Sequence, residues 1–179
     1  MASIIKANQL QDFGGNSILT SDGAGVVTPN ATGIKMTPAF AGYNTGDYTM
    51  SDATYTVSQI NTEFFDTDSA FDTSTYKFTP QTDGKYFFYG SFRGGHSDNN
   101  CINNARIRLR KNGSSTIAQT LYSSDVTSSN PKGYNMSISG SIELNGSSDY
   151  VTLETYLDMV SQTPSVFDAY FGGYKIIGA

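Results

Sequence analysis

Tryptophan is absent from these 179 residues, and histidine and cysteine occur once each, as His96 and Cys101. One cysteine excludes an internal disulfide framework and any cysteine-built zinc cluster. One histidine leaves no Ser-His-Asp or Cys-His machinery beyond a His96–Cys101 pair, which stands in a Gly/Asn loop without a supporting motif. Charge is scarce too: 11 basic and 16 acidic residues give a net charge of -5, and only 15% of the chain is charged. That balance argues against a nucleic-acid binder, which needs a cationic face to release counterions. No apolar run approaches the ~18 residues of a membrane-spanning helix, and no charged-then-apolar leader opens the chain. The expectation is a soluble protein made in a cytoplasm, not secreted, with no nucleic-acid or membrane partner. The sequons at Asn30, Asn112, Asn135 and Asn145 mean little without a secretory route.

What the chain does have is 12 tyrosines, 11 phenylalanines and 18 glycines among abundant Ser, Thr and Asn, a composition of strands and turns. The length suits one domain with a short appendage. Residues 1–36 are rich in Gly, Ser, Thr and Asn, with only brief apolar pairs, and read as an extended arm or a flexible terminus. From Thr37 on, strand-like runs alternate with turn signals and no helical period persists. "YKF" leads through "TPQTDG" into "KYFFYGSF", a hairpin or tight connection around Asp83-Gly84. "ARIRLRK" and "STIAQTLY" flank Asn112-Gly113, the best hairpin signal, and two further runs flank Asn145-Gly146. A final strand, "VFDAYFGGYKII", nearly ends the chain. Such spacing without helices means an antiparallel sandwich or barrel.

Alternation assigns faces. Tyr86, Phe88 and Phe92 share one side of their strand, while Phe87 and Tyr89 share the other. A strand aromatic on both sides is covered twice, by the opposing sheet and by something else. In a chain this short the second cover is read as another subunit.

The order of these segments resembles the globular head of complement component one, subcomponent q, a branch of the tumour-necrosis-factor-like jelly rolls. The likeness covers residues 37–179. It falls on Pro38-Ala39-Phe40, Phe71, Phe78, Gly84, Tyr86, Phe88, Leu109 with Asn112-Gly113, Ile142, Leu144, and Phe171 with Gly173. Tyr76, where the family usually has Gly, and the insertion-like "RGGHSDNNCINN" depart from it. The resemblance implies an all-β antiparallel jelly roll of about ten strands, assembled as a homotrimer, that binds rather than catalyses. It also implies loops presented to proteins or glycans. Some members hold calcium near the axis, but no calcium motif maps onto this chain. The arm segment "IIKANQLQDFGGNSILTSDGAG" is similar to the opening of tailed-bacteriophage structural proteins, which implies docking of a fibre or decoration protein onto a virion.

On this reading Phe40, Phe71, Phe78, Gly84, Tyr86, Phe87, Phe88, Tyr89, Phe171 and Gly173 serve core and trimer contacts. Arg106, Arg108 and Arg110 lie on one face of their strand, as a solvated row or as a contact for an acidic neighbour. Loops 93–104 and 123–135 form the candidate recognition region, and Arg93, His96 and Lys132 within them join the three arginines as candidate partner or ligand contacts. Tyr43, Tyr48 and Tyr55 could stack on sugars or pack between subunits. Paired carboxylates for glycoside hydrolysis would come from Glu63, Asp66, Asp68 and Asp72, or from Glu143 and Glu154. Turn chemistry accounts better for the first group. "DTDSAFD" has oxygen spacing suited to calcium but lacks the Gly turn and terminal Glu of a helix-loop-helix site, so no cofactor is expected, with calcium kept as the alternative.

The function expected is thus a non-enzymatic, trimeric bacteriophage virion component, a capsid decoration, a fibre or a tail-associated host-recognition head. It would be docked to other virion proteins through residues 1–36 and directed at a host-surface glycan or protein. The alternatives are a free-standing lectin-like or protein-binding module of bacterial origin and a capsule-degrading glycosidase.

Overall fold

The computed structural model describes residues 7–30, 35–98, 101–124 and 131–177, and every regular element among them is a strand. The arm carries β1 (Gln9–Gln11), β2 (Ser17–Ser21) and β3 (Val27–Pro29). Then follow β4 (Ala39–Tyr43), β5 (Tyr48–Thr49), β6 (Thr56–Val57), β7 (Thr62–Asp66), β8 (Phe71–Asp72) and β9 (Lys77–Phe78). The long strands are β10 (Asp83–Gly95), β11 (Ile102–Lys111), β12 (Ser115–Ser123), β13 (Gly133–Asn145), β14 (Val151–Met159) and β15 (Ser165–Lys175).

Two six-stranded antiparallel sheets make the sandwich. One runs β13-β10-β15-β4-β7 with β5 also on β15; the other runs β12-β11-β14-β9-β8 with β6 on β14. We call them the β10 sheet and the β11 sheet. The chain changes sheet between β5 and β6, β6 and β7, β7 and β8, β9 and β10, β10 and β11, β12 and β13, β13 and β14, and β14 and β15. That traffic makes an antiparallel jelly roll, two five-strand paths each extended by one two-residue strand. Asn112-Gly113 does close a hairpin, with both residues at positive φ (54° and 63°), the geometry of a twisted two-residue turn. Asp83-Gly84 does not. It carries the chain from the β11 sheet into the β10 sheet, because β9 pairs with β14 while β10 pairs with β13 and β15.

Alternation along β10 holds as read. Tyr86, Phe88 and Phe92 are buried inward, while Tyr89 stays 40% exposed. The interior centres on Phe40, whose ring stacks on Phe71 and Phe78 at 4.6 Å each and meets Phe171 edge-on at 4.9 Å. Phe88 adds contacts to Phe78 and Phe171. Burying each such ring is worth about 1.5–3 kcal/mol, so five segments distant in sequence are held by one aromatic cluster. The Tyr86 hydroxyl, which donates to Thr82 O at 2.7 Å, has its pKa pushed up to about 12, chiefly by burial. Gly172 and Gly173 let β15 pass between rings: the Tyr89 ring lies over Gly172 outside, and a Cβ on Gly173 would stand 2.5 Å from the Phe88 ring inside.

The sandwich has two poles. At one, Lys175 N donates to Pro38 O at 3.1 Å and Ile176 N to Lys85 O at 2.8 Å, so the chain enters and leaves side by side. The same pole is clasped by Asp149, which takes Lys111 Nζ at 2.7 Å, Asn112 Nδ2 at 2.8 Å and Asn145 N at 3.0 Å. These bonds hold the Asp149 carboxyl below its ordinary value, and they tie the two Asn-Gly turns together. At the other pole Gly95 pairs with both Ser165 and Gly133.

The arm is more ordered than a bare extended segment. β1, β2 and β3 form an antiparallel meander with no strand pairing to either large sheet. Its turns are side-chain made: Asp12 Oδ1 accepts Asn16 N at 2.8 Å, and Asp22 Oδ1 accepts Ala24 N at 2.7 Å. Leu10, Phe13, Val26 and Val27 are exposed on it.

Candidate functional site

At the distal pole, β10 ends in Arg93-Gly94-Gly95, and a bulge between Arg93 and Gly94 re-aims the strand against β15. Arg93 Nε donates to Asp168 Oδ2 at 2.6 Å, and its guanidinium lies over the Phe167 ring, 5.1 Å from the centroid. His96 N donates to Lys132 O at 2.8 Å, which brings the two candidate loops together. Tyr134, next along β13, stacks on Tyr122 at 4.3 Å. Arg93, His96, Lys132, Tyr134 and Phe167 thereby surround a cavity of about 370 Å³. The three candidate contacts from the two loops share one pocket. Asn99, Asn100 and residues 125–130 of those loops lie outside the described residues, as do residues 1–6 and 31–34 of the arm. Cys101 is buried behind His96, its Sγ donating to Asp98 O at 3.2 Å, and burial pushes the thiol pKa up.

Alternation missed Phe167 and Asp168, because the bulge shifts the pairing just where they meet β10. Tyr134 carried a weak signal: an aromatic beside the loop residue Lys132 and a glycine.

The other three candidate arginines lie elsewhere. Arg106, Arg108 and Arg110 do line one face of β11, the outer face of its sheet, but each has partners within the chain. Arg108 binds Glu154 at 2.6 Å, with side chains only 17% and 10% exposed, and its guanidinium sits 3.4 Å from the Tyr55 ring centroid. Arg106 lies over the Tyr156 ring at 4.8 Å. Arg110 donates to Thr116 Oγ1 at 2.9 Å and to Gly113 O at 2.7 Å. Tyr55 closes this layer by donating to Gln119 Oε1 at 3.3 Å.

The outer face of the β10 sheet is of another kind. Phe87 meets Tyr174 at 5.6 Å, Tyr43 stacks on Phe64 at 4.7 Å, and Tyr170 faces Tyr43 at 6.4 Å. Tyr170 is 45% and Phe64 62% exposed. Serines 137, 139 and 141 of β13 extend the same face through their pairing with Ser91, Tyr89 and Phe87. Of the named core and trimer residues, Phe40, Phe71, Phe78, Tyr86, Phe88 and Phe171 are interior and Phe87 and Tyr89 lie on this outer face. Gly84 opens β10 with φ of 140°. Tyr48 is packed inside, its hydroxyl accepting Gln59 N at 3.3 Å.

The candidate carboxylates are dispersed. Asp66 Oδ2 accepts Phe71 N at 2.8 Å. Asp72 takes the hydroxyls of Ser74 (2.6 Å) and Thr75 (2.8 Å), bonds that lower its pKa to about 2. Glu154 is committed to Arg108. Among the described residues no three metal-ligating side chains converge.

Neither a protein-family model nor a curated protein sequence matches the chain. Solved structures do match its fold. The globular domain of zebrafish complement 1qA is 21% identical with a TM-score of 0.59, over 78% of this chain and 96% of that one. The Eiger TNF of S. frugiperda is 16% identical with a TM-score of 0.55, over 79% of this chain and 95% of that one. The fold is therefore a jelly roll of the complement-head and tumour-necrosis-factor type.

Proposed function

We propose that the chain is the subunit of a non-enzymatic homotrimer that binds surfaces. We further propose that it is held on a bacteriophage virion by residues 1–36, as a decoration, fibre or host-recognition head. The observation that carries the trimer is the outer face of the β10 sheet, where Tyr43, Phe64, Phe87, Tyr89, Tyr170 and Tyr174 gather without a covering layer among the described residues. Rings at that density suit the buried centre of an interface. A symmetric assembly of copies meets the need with one patch. The docking role of the arm is supported by its separate meander with exposed Leu10, Phe13, Val26 and Val27, and by its likeness to phage structural proteins. Joining weak sites in threes raises avidity without any new contact.

Native mass spectrometry of the full chain tests the assembly: a trimer mass is expected, and a monomer at micromolar concentration refutes it. Deleting residues 1–36 is expected to leave the trimer intact and abolish incorporation into particles. Normal incorporation would remove the docking role.

A further inference from the structure

Recognition by this protein requires a site, and the distal pole supplies one whose chemistry can be read. From Tyr86, beside the chain's entry, to Gly95, β10 takes nine steps of ~3.3 Å, so the pole lies roughly 30 Å from the arm's attachment. A head docked through its arm points this pole outward. The cavity there, about 370 Å³, is at the lower end of the usual range for small-molecule sites and accommodates a sugar ring.

Its walls are prepared for an anion with a hydroxylated body. Arg93 is fixed by Asp168 through Nε and by Phe167 beneath it, which leaves the terminal nitrogens of the fork to a ligand. Asp168 offsets the Arg93 charge, and Asp98 stands 3.5 Å from His96. Lys132 is exposed and has no carboxylate within salt-bridge distance among the described residues, so its ammonium is the cation of the pocket that is left to a ligand. Tyr134, pinned by Tyr122, and Phe167 offer aromatic surface, while Asn135 adds an amide. A single unpaired ammonium suits a monoanion better than a phosphate dianion.

Gly133 adds an independent mark. The other described glycines have positive φ or neighbours that crowd a Cβ. At Gly133 φ is ordinary, and a Cβ would meet only Gly94 O at 3.6 Å. Neither backbone conformation nor packing demands glycine here, and the missing side chain keeps the pocket open.

We infer that the pocket of Arg93, His96, Lys132, Tyr134 and Phe167 binds the carboxylate-bearing unit of an acidic saccharide. Its carboxylate would lie between Arg93 and Lys132 and its ring against the aromatic wall. This assignment rests on the surface-binding reading above, but the lining residues named come from one chain and can be tested apart from assembly.

The test titrates the isotope-labelled full chain with D-glucuronic acid, D-glucose and glucose 6-phosphate by NMR, with native mass spectrometry of the same sample. Glucuronate is expected to shift Lys132, Gly133 and Tyr134 resonances, with a Kd on the order of 1 mM. Glucose should bind at least tenfold more weakly. Lys132→Gln should weaken glucuronate about tenfold, as expected for loss of a charge-assisted bond, and Gly133→Leu should abolish binding with the amide spectrum otherwise retained. Equal binding of glucose, equal or tighter binding of glucose 6-phosphate, no shifts with glucuronate, or no effect of Lys132→Gln each overturns the assignment. A trimer that ignores glucuronate sinks this inference and spares the assembly; a monomer that binds it does the reverse.

Discussion

The two sheets solve the same problem, what to do with an outer face, in opposite ways. The β11 sheet covers most of its face within the chain: Tyr55 and Tyr156 lie against guanidinium groups, Glu154 neutralises Arg108, and Gln119 takes the Tyr55 hydroxyl. The β10 sheet leaves aromatic rings beside a column of serines, with Tyr170 and Phe64 exposed among the described residues. Ionised groups near the surface can be satisfied by neighbours and water together, whereas an aromatic ring is satisfied only by exclusion of water. A finished face stabilises a monomer. An unfinished one stabilises whatever covers it.

The sharpest way to break this contrast uses neighbours on one strand. Phe88→Ala, facing inward, should destabilise the fold by about 3–5 kcal/mol at any protein concentration. Phe87→Ala, facing outward, should lose far less when dilute, with the loss growing as concentration rises into the associating range. Denaturant titrations at two concentrations decide it, and equal losses for both variants would erase the distinction between the faces.

On the β11 sheet, Arg108→Ala should cost about 3 kcal/mol, because it strands a buried Glu154 without a partner. The paired change Arg108→Met with Glu154→Leu should recover most of that stability, and neither variant should alter the oligomer mass. On the β10 sheet, Tyr170→Ala should leave the monomer's fold intact but weaken association by about 2 kcal/mol, roughly 30-fold per affected contact. Sedimentation at graded concentration measures it; an unchanged trimer would move the interface elsewhere.

The smallest effect concerns acid. The Asp149 carboxyl is held below 3.8 by its bonds to Lys111 and Asn112. A carboxylate whose pKa is lower folded than unfolded adds stability that is complete above the unfolded value and is lost as pH falls through the folded one. The clasp should therefore weaken only below about pH 4. Asp149→Asn should flatten that part of the stability profile, and an unchanged profile would show that the clasp contributes nothing.

Much of the fold was legible because alternation is a strong signal where both faces carry large residues. In β10 the inward Tyr86 and Phe88 and the outward Phe87 and Tyr89 separate on period alone, and Asn112-Gly113 announces its turn. Crossings between sheets were not legible. Asp83-Gly84 has hairpin composition, yet whether the chain returns beside its neighbour or passes to the facing layer is decided by where Phe78 and Phe88 meet across the core. The pocket was half legible. Its loops stand out by length, but the bulge that brings Asp168 to Arg93 depends on pairing between strands more than 70 residues apart. The arginine row was correctly placed on one face, but its partners Tyr55 and Glu154 come from the segment before β6 and from β14, respectively, which no local pattern connects.

Gly172 and Gly173 have a mechanical meaning. At that level β15 is bare backbone, with the Tyr89 ring against one side and the Phe88 ring against the other. No side chain of β15 stands between them to absorb a displacement, and Phe88 passes load on to Phe78 and Phe171. Pressure on Tyr89 therefore reaches the interior through the backbone of Gly172 and Gly173. Whatever covers the outer face stiffens the inner stack as well, and amide hydrogen exchange at Gly172 and Gly173 is where that stiffening registers.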